Sequence, residues 1–374
     1  MNQRSHLLCM AAAVALLIIA GPMNSTAEGN GWQGPITESF SEENIPRISA
    51  RSFALIDLQS GMLLLGNDID SIRHPASLTK IMTLLLAQEL GRSDELVQVS
   101  SKAAYTPGSS MGVRTGETWR LGDLMLGVAL ESGNDAAIAV AQHLGGSVKE
   151  FARLMNERAA QMGMNSTSYS NPHGLTEDDH LTSAKDLSLL AGHFMKNPVL
   201  RHLVSLKEAS VQSLGGRQIP LRNTNRLLHS DILYKGIKTG TTRAAGRCLV
   251  ASARRGSRQL VAVIVKSGDR WGDARRMLDW GFERFTWRTV ATPVLPMASI
   301  AISGSPQQDS MGLYPRKTVV LPVPDEIHPE QLQLIINRPA TASPGAHGPL
   351  GEVVVRFSGH IIYRTELYFH PSNW

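Results

Sequence analysis

Strand-like segments stand at both ends of the first three quarters of the chain, with helical segments between them. Near the start, "SFALIDLQSGMLLLGND" (residues 52–68) predicts two strands joined at "QSG". From Tyr234 onward, "YKGIKTG", "CLVASARR" and "QLVAVIVKS" predict three short strands, followed by a helix around "DARRMLDWGF". This order predicts a mixed α/β (α+β) fold in which an antiparallel sheet is covered by helices, with a helical region inserted in the middle.

The inserted segments have the apolar spacing of helices. From Ser77, "SLTKIMTLLLAQELG" is apolar on nearly all sides and ends at Gly91, which is typical of a buried helix. The stretch "TWRLGDLMLGVALESGNDAAIAVAQHLG" predicts two helices interrupted at "ESGN". A further helix, "TSAKDLSLLAGHFMKNP", is expected to begin at Thr182 or Ser183, because both residues are favoured helix caps.

The amino terminus has the features of a signal peptide. Residues 1–27 combine a basic start at Arg4, an apolar run from Leu7 to Gly21 and a small-residue cleavage site after Ala27. The apolar run is too short to cross a bilayer comfortably, although a retained anchor is the alternative. We therefore expect export across the inner membrane, to the periplasm or cell envelope.

The remaining chain divides by composition into three parts. Residues 28–46 are a polar linker, and 47–290 hold the strands and helices described above. Residues 291–374 lose helical patterning and predict a small all-β domain, with a hinge near "TWRTVATPV". The net charge of +5 is mild, and basic residues run no longer than pairs such as those in "ARRG", so no nucleic-acid partner is expected. Once the signal is removed, Cys248 has no partner in the chain.

Three short motifs that occur once each, in a fixed order, carry the chemistry. Ser77 and Lys80 stand three positions apart, which places both side chains on one helix face. Ser77 alone is more commonly explained as a helix cap, since serine is a favoured first residue of helices. However, Ser132-Gly133-Asn134 and then Lys238-Thr239-Gly240 follow it. This is the order of the penicillin-recognising serine enzymes, in which a serine is the nucleophile and a lysine of lowered pKa can serve as its base.

Two other candidates are weaker. "GSSMG" around Ser110 matches a Gly-x-Ser-x-Gly nucleophile motif, but neither a strand before it nor a helix after it is predicted. The acidic and histidine-containing segment "NPHGLTEDDH" includes His173 and His180 but lacks the His-Glu-x-x-His spacing of zinc peptidases. A loop with capping roles explains the second better than a metal site, and no metal or other cofactor is expected.

From about Ser49 to Phe285 the chain resembles the D-alanyl-D-alanine carboxypeptidases, which are low-molecular-mass penicillin-binding proteins. The matching segments include "HPASLTKIMT", "GSSMGVRTGE", "LESGNDAAIAVA", "NPHGL", "NTNRLL" and "GIKTGTTRAAGRCLVASA", in family order. The resemblance implies the penicillin-recognising, β-lactamase-like fold and an acyl-enzyme mechanism on peptidoglycan stem peptides, with β-lactams as covalent inhibitors. The β-rich tail resembles the carboxy-terminal domain that some of these enzymes carry.

The resemblance also implies a role for each site residue. Ser77 attacks the carbonyl between two D-alanines, Lys80 accepts its proton, and Ser132 relays a proton to the leaving amine. Substrate-binding roles fall to six further residues: Asn134 at the substrate amide, Lys238, Thr239 and Arg270 at the terminal carboxylate, and Gly240 and Thr241 on the strand beside it. The backbone N–H groups of Ser77 and Thr241 form the oxyanion hole.

Three alternatives remain open on the sequence. A DD-endopeptidase shares the active site. A class A β-lactamase needs a deacylating glutamate, and none stands between Glu157 and Glu177. A non-catalytic penicillin-recognising wall protein would be expected to lose one of the motifs. Peripheral association with the inner membrane is left open, since "YRTELYFHPSNW" lacks the basic amphipathic pattern of an anchoring helix.

Overall fold

The computed structural model describes residues 44–303, 310–325, 331–343, 348–357 and 360–369, together with the backbone of residues 17–21. Those five residues form strand β1 (Leu17–Gly21), inside the predicted signal peptide. The rest of that peptide and most of the predicted linker lie outside the described residues. Two compact units are present. One is Phe40–Phe285, and the other takes in β1 and the described residues from Thr286 onward.

The first unit contains nine strands and nine α-helices within its described residues. The strands are β2 (Ser52–Asp57), β3 (Leu63–Asn67), β4 (Leu96–Gln98), β5 (Thr118–Arg120), β6 (Glu208–Gln212), β7 (Gln218–Arg222), β8 (Tyr234–Thr242), β9 (Gly246–Arg255) and β10 (Arg258–Ser267). The helices are α1 (Lys80–Leu90), α2 (Ser101–Ala104), α3 (Leu121–Leu130), α4 (Asn134–Gly145), α5 (Val148–Gln161), α6 (Ala184–Lys196), α7 (Pro198–Ser205), α8 (Arg226–Ser230) and α9 (Arg270–Arg284).

A five-stranded antiparallel sheet forms the centre of this unit, in the order β3-β2-β10-β9-β8. Residues Leu260–Val265 of β10 are all buried, and successive residues of a strand point to opposite faces. Both faces are therefore covered. Helix α9 packs on β9 and β10, and α6 packs on β10 and β2. The fold class that we predicted from strands at both ends of a helical region is confirmed.

Two of the predicted helix boundaries are found in the structure. Ser183 caps α6 by accepting a hydrogen bond from the backbone N–H of Asp186 at 3.1 Å. The "ESGN" interruption separates α3 from α4 and places its polar residues in a tight turn. Sequence patterns missed the two-stranded sheets β4–β5 and β6–β7, whose strands have three to five residues each.

The second unit is β-rich, as predicted. Its described strands are β11 (Phe285–Ala291), β12 (Ala298–Ile302), β13 (Ser310–Pro315), β14 (Val319–Pro324), β15 (Leu332–Asn337), β16 (Thr341–Ala342), β17 (Gly351–Phe357) and β18 (His360–Tyr368). The stretch interpreted as a hinge begins where the second unit begins, at Thr286, and it forms strand β11, which pairs with β14. The other strands and β1 form one sheet, β1-β15-β17-β18-β13-β12-β16. Within the described ranges, no helix has the length and apolar character needed to cross a bilayer.

Candidate active site

Ser77 lies in a 3₁₀ helix, Ala76–Thr79, that leads directly into α1. Neither helix has a side-chain hydrogen bond at its amino-terminal cap, so Ser77 is not the capping residue. Its Oγ lies 3.1 Å from Nζ of Lys80, the contact that the three-residue spacing predicted. The capping interpretation is therefore wrong, and the hydroxyl is free to take part in chemistry with the lysine.

Lys80 is buried completely, in a position that favours its neutral form. Its Nζ donates to Oδ1 of Asn134 at 2.7 Å and to the carbonyl oxygen of His173 at 2.7 Å. Burial lowers its pKa well below the usual value, and the positive charge of Lys238 lowers it further. A neutral amine has two N–H bonds and one lone pair. Because Asn134 and His173 accept from the two N–H bonds, the lone pair is left facing the Ser77 hydroxyl.

Ser132 and Asn134 occupy the turn between α3 and α4. Ser132 is buried and has a left-handed backbone, with φ of +60°, and its Oγ has no hydrogen-bond partner within the described part of the chain. Nδ2 of Asn134 donates to the carbonyl oxygen of Pro107 at 2.6 Å. That bond turns Oδ1 of Asn134 toward Lys80, so the side chain positions the lysine. A contact between Asn134 and a substrate amide stays a prediction.

The Lys-Thr-Gly motif lies on β8, the edge strand that faces the 3₁₀ helix. Burial of Lys238, together with the positive charge of Arg270, lowers its pKa to about 7. The Thr239 hydroxyl lies 2.9 Å from that of Thr224. At Gly240, an added Cβ would lie only 3.1 Å from the backbone nitrogen of Ser77. Glycine thus allows β8 to lie close to the nucleophile's backbone.

Arg270, the first residue of α9, completes this edge of the site. Its Nη1 donates to the carbonyl oxygen of Gly240 at 3.0 Å, to Oγ1 of Thr241 at 2.9 Å and to the carbonyl oxygen of Cys248 at 3.3 Å. Its buried Nε has no partner among the described residues. A guanidinium held against β8 with an unused donor is suited to binding a carboxylate. Cys248 is buried and forms no disulfide within the described part of the chain.

The "NPHGL" segment also supports Lys80, a role that sequence reasoning missed. The carbonyl oxygen of Pro172 accepts a hydrogen bond from Oγ1 of Thr83 at 2.6 Å, next to the bond between His173 and Lys80. Gly174 has φ of +90°, and an added Cβ there would lie 1.9 Å from the carbonyl oxygen of Ala76. The segment therefore touches α1 and the 3₁₀ helix so closely that only glycine fits.

His180 ties the same loop to the nucleophile's turn. Its Nδ1 accepts from the backbone N–H of Ser170 at 3.0 Å, so its Nε2 carries the proton that it donates to Oγ1 of Thr79 at 2.7 Å. Thr79 donates in turn to the carbonyl oxygen of Ala76 at 2.8 Å. Burial lowers the pKa of His180 to about 4 and that of His173 to about 3, so both rings are neutral near pH 7.

The two weaker candidates have structural explanations. Ser110 Oγ donates to Oδ2 of Asp135 at 2.6 Å, and its segment is a loop without the strand and helix of a nucleophile elbow. In the described ranges, no three His, Cys, Asp or Glu side chains are grouped closely enough to hold a metal ion. His173 and His180 instead act through the contacts described above. The contact of His173 is made by its backbone carbonyl, so no side-chain pattern marks it; for His180, the only signal in the sequence is a histidine in a largely polar loop.

Comparison with known proteins points to one family. The family model described as D-alanyl-D-alanine carboxypeptidase matches residues 39–268. The carboxypeptidase DacF of Bacillus subtilis is 34% identical over 245 residues, which are 63% of this chain and 63% of DacF. DacC of Escherichia coli is 31% identical over 342 residues, 86% of this chain and 81% of DacC.

Solved structures give the same result. Penicillin binding protein 5 from Haemophilus influenzae superposes with a TM-score of 0.77 at 25% identity, covering 87% of this chain and 97% of that one. A D-alanyl-D-alanine carboxypeptidase from Mycobacterium tuberculosis gives a TM-score of 0.60 at 30% identity, over 64% and 93% of the two chains. The fold, the ordered motifs and the matched family model together show that this chain belongs to the D-alanyl-D-alanine carboxypeptidase family.

Proposed function

We propose that this chain is a serine-type D-Ala-D-Ala carboxypeptidase that removes the terminal D-alanine from peptidoglycan stem pentapeptides. The observation that carries the proposal is the arrangement around Lys80. The side chain of Lys80 is completely buried, and two acceptors, Asn134 and His173, accept from its two N–H bonds. The lone pair of the neutral amine therefore faces the Ser77 hydroxyl, 3.1 Å away. That is the geometry of a serine activated by a neutral lysine base.

Acylation begins when the Ser77 oxygen attacks the carbonyl carbon of the penultimate D-alanine. Lys80 accepts the hydroxyl proton as the new C–O bond forms. The C–N bond to the terminal D-alanine then breaks. The proton passes to the leaving amine through the Ser132 hydroxyl, which has no hydrogen-bond partner among the described residues. The backbone N–H groups of Ser77 and Thr241 hold the oxyanion. The close approach of β8 to Ser77 at Gly240 supports this assignment, because it brings the two backbones together.

The terminal carboxylate of the substrate binds at the cationic edge of the site. Lys238 and Arg270 supply positive charge there, and Thr239 and Thr241 supply hydroxyl groups. Because β8 is an edge strand, an extended peptide can lie along it and form backbone hydrogen bonds. The same edge binds the carboxylate of a penicillin, which acylates Ser77 as a substrate mimic.

Deacylation by water completes the turnover, and we expect it to be slow for penicillin. The loop that corresponds to the deacylating loop of class A β-lactamases offers Glu177, but its Oε1 accepts from Nδ2 of Asn171 at 2.7 Å. Among the described residues, no hydrogen bond or ion pair joins this carboxylate to Ser77 or Lys80, which makes the β-lactamase alternative the weaker one. A non-catalytic role is disfavoured because Ser77, Lys80 and Asn134 form one connected hydrogen-bond chain.

The test is release of D-alanine from a pentapeptide ending in D-Ala-D-Ala, compared between wild type and Ser77→Ala. We expect Ser77→Ala to lose both D-alanine release and covalent labelling by penicillin. Undiminished activity in that variant would refute the mechanism. A cross-linked muropeptide dimer, tested alongside, separates carboxypeptidase from endopeptidase action. The proposed location is the cell envelope, on the outer side of the inner membrane, and fractionation of the native host tests it.

A further inference from the structure

Asp135, the residue after the Ser-x-Asn motif, is a completely buried carboxylate held by neutral donors. Its Oδ1 accepts from the backbone N–H of Met111 at 2.9 Å and of Ala136 at 2.8 Å. Its Oδ2 accepts from the Ser110 hydroxyl at 2.6 Å and from two further backbone N–H groups, those of Gly112 at 2.8 Å and Val113 at 3.1 Å. Four of these five donors belong to one loop, so the carboxylate fixes that loop onto α4.

The loop that Asp135 holds is the one that orients Asn134. The carbonyl oxygen of Pro107 accepts from Nδ2 of Asn134 at 2.6 Å, and that of Ser109 accepts from its backbone N–H at 2.7 Å. With Nδ2 directed to Pro107, Oδ1 of Asn134 points at Nζ of Lys80, 2.7 Å away. A continuous series of hydrogen bonds therefore runs from Asp135 through residues 107–113 and Asn134 to the lysine.

Asp135 also contributes charge. Four titratable groups face Lys80: Lys238 from β8, Asp135 from α4, and His173 and His180 from the loop. The two histidines are neutral, so the only negative charge among the four is that of Asp135. It raises the pKa of Lys80, against burial and against Lys238, which both lower it.

We propose that Asp135 is a positioning residue of this active site, which fixes the Asn134 amide through residues 107–113 and balances the charge at Lys80. This inference rests on the proposed function, because it takes Lys80 to be the base. The role is not catalytic, since the carboxylate is closed off by its five donors.

The test is the pH profile of acylation by a fluorescent penicillin, measured with wild type and Asp135→Asn. In wild type the second-order acylation rate rises with pH as Lys80 loses its proton. The acid limb is the low-pH part of the profile, where the rate rises with pH. Loss of the negative charge lowers the pKa of Lys80, so this limb should shift to lower pH by about one unit or more. The amide also presents N–H bonds to groups that are themselves donors. The plateau rate should therefore fall about 10- to 100-fold as Asn134 loses its orientation.

Asp186→Asn is a matched control. Asp186 is a buried carboxylate in the first turn of α6 and ties a loop to that helix, by accepting from the backbone N–H of Ser166 at 2.8 Å and from Oγ1 of Thr167 at 2.7 Å. It is not among the groups that act on Lys80. Its replacement should lower the melting temperature and leave the acid limb in place.

Two further variants keep the inference testable if Asp135→Asn does not fold. Asp135→Glu retains the charge, so it should retain the wild-type acid limb while its plateau falls. Ser110→Ala removes one donor from the exposed side of the loop and should lower the plateau a few-fold with an unmoved limb. An Asp135→Asn limb and plateau identical to wild type would overturn the inference. Penicillin acylation that persists in Ser77→Ala would instead overturn the proposed function.

Discussion

Substitution of Gly174 by alanine tests how the loop supports the nucleophile. An added Cβ would lie 1.9 Å from the carbonyl oxygen of Ala76 and 2.9 Å from Oγ1 of Thr79, so the loop must retreat by roughly 1 Å or more to reach ordinary contact distances. The left-handed backbone, with φ of +90°, adds about 1–2 kcal/mol of strain. Retreat also breaks the loop's hydrogen bonds to Lys80 and Thr83, each worth about 1 kcal/mol.

We therefore expect Gly174→Ala to destabilise the protein by about 3–4 kcal/mol, a fall in melting temperature of roughly 10 °C. Displacement by 1 Å beside Lys80 should also reduce the rate of acylation by penicillin by about 100-fold. The assays are thermal unfolding and stopped-flow acylation with a fluorescent penicillin, both at pH 7.5.

Gly163→Ala is the matched control for this experiment. Gly163 has φ of +75°, and nothing lies within 4 Å of an added Cβ. It should therefore show the backbone strain alone, about 1–2 kcal/mol, with wild-type acylation. If Gly174→Ala acylates at the wild-type rate and unfolds at the same temperature as Gly163→Ala, the loop does not support the nucleophile as described.

Two other substitutions test neighbouring contacts. Because its pKa of about 4 in the folded protein lies below the ordinary value of 6.5, His180 contributes stability that is fully present above pH 6.5 and is lost as the pH falls toward 4. Replacement by Gln keeps an N–H donor for Thr79, but the Gln side chain does not titrate. Between pH 7.5 and pH 5, the free energy of unfolding of His180→Gln should therefore fall by about 2 kcal/mol less than that of wild type, as measured by urea unfolding. Gly240→Ala should reduce the acylation rate more than the melting temperature, because its Cβ would push β8 a few tenths of an ångström from Ser77. A lower melting temperature with an unchanged acylation rate would contradict this.

Much of the fold could be predicted because the deciding patterns are local. The apolar run of β10, and that of β9 with Ser252 as its one polar residue, are those of strands buried on both faces, and the sheet is built around them. The Ser183 cap of α6 and the break between α3 and α4 were equally visible, since capping residues and turn residues act within a few positions. The short strands β4 to β7 were missed because three to five residues carry too little periodicity.

The ordered motifs predicted which residues meet, but not what holds them in place. Ser77 and Lys80 are three residues apart, and that contact follows from helical geometry alone. By contrast, His173 acts on Lys80 through its backbone carbonyl from 93 positions away, and His180 reaches Thr79 across 101 positions. Any residue type has a backbone carbonyl, so no side-chain pattern marks that contact. Asp135 likewise looked like an ordinary acidic residue in the first turn of a helix.

The positive charge of Lys238 on β8 acts on Lys80, and that of Arg270 on α9 acts on Lys238, at the edge where we propose that the substrate's carboxylate binds. Lys238 lowers the pKa of Lys80, and Arg270 in turn lowers that of Lys238. A bound carboxylate partly cancels this positive field, so the pKa of Lys80 should be higher in the complex than in the free enzyme. The acid limb of the acylation rate at saturating penicillin, which reports the complex, should therefore lie at higher pH than the limb of the second-order rate, which reports the free enzyme.

Single-turnover stopped-flow measurements over a pH series separate these two limbs without interference from deacylation. In Lys238→Gln the field is weaker at the outset, so the limb of the free enzyme should move to higher pH and the gap between the two limbs should narrow. A saturating limb at the same or lower pH than the second-order limb in wild type would show that the carboxylate does not bind within reach of Lys80. In that case β8 and Arg270 would not be the carboxylate site, and the direction in which the peptide lies along β8 would have to be reversed.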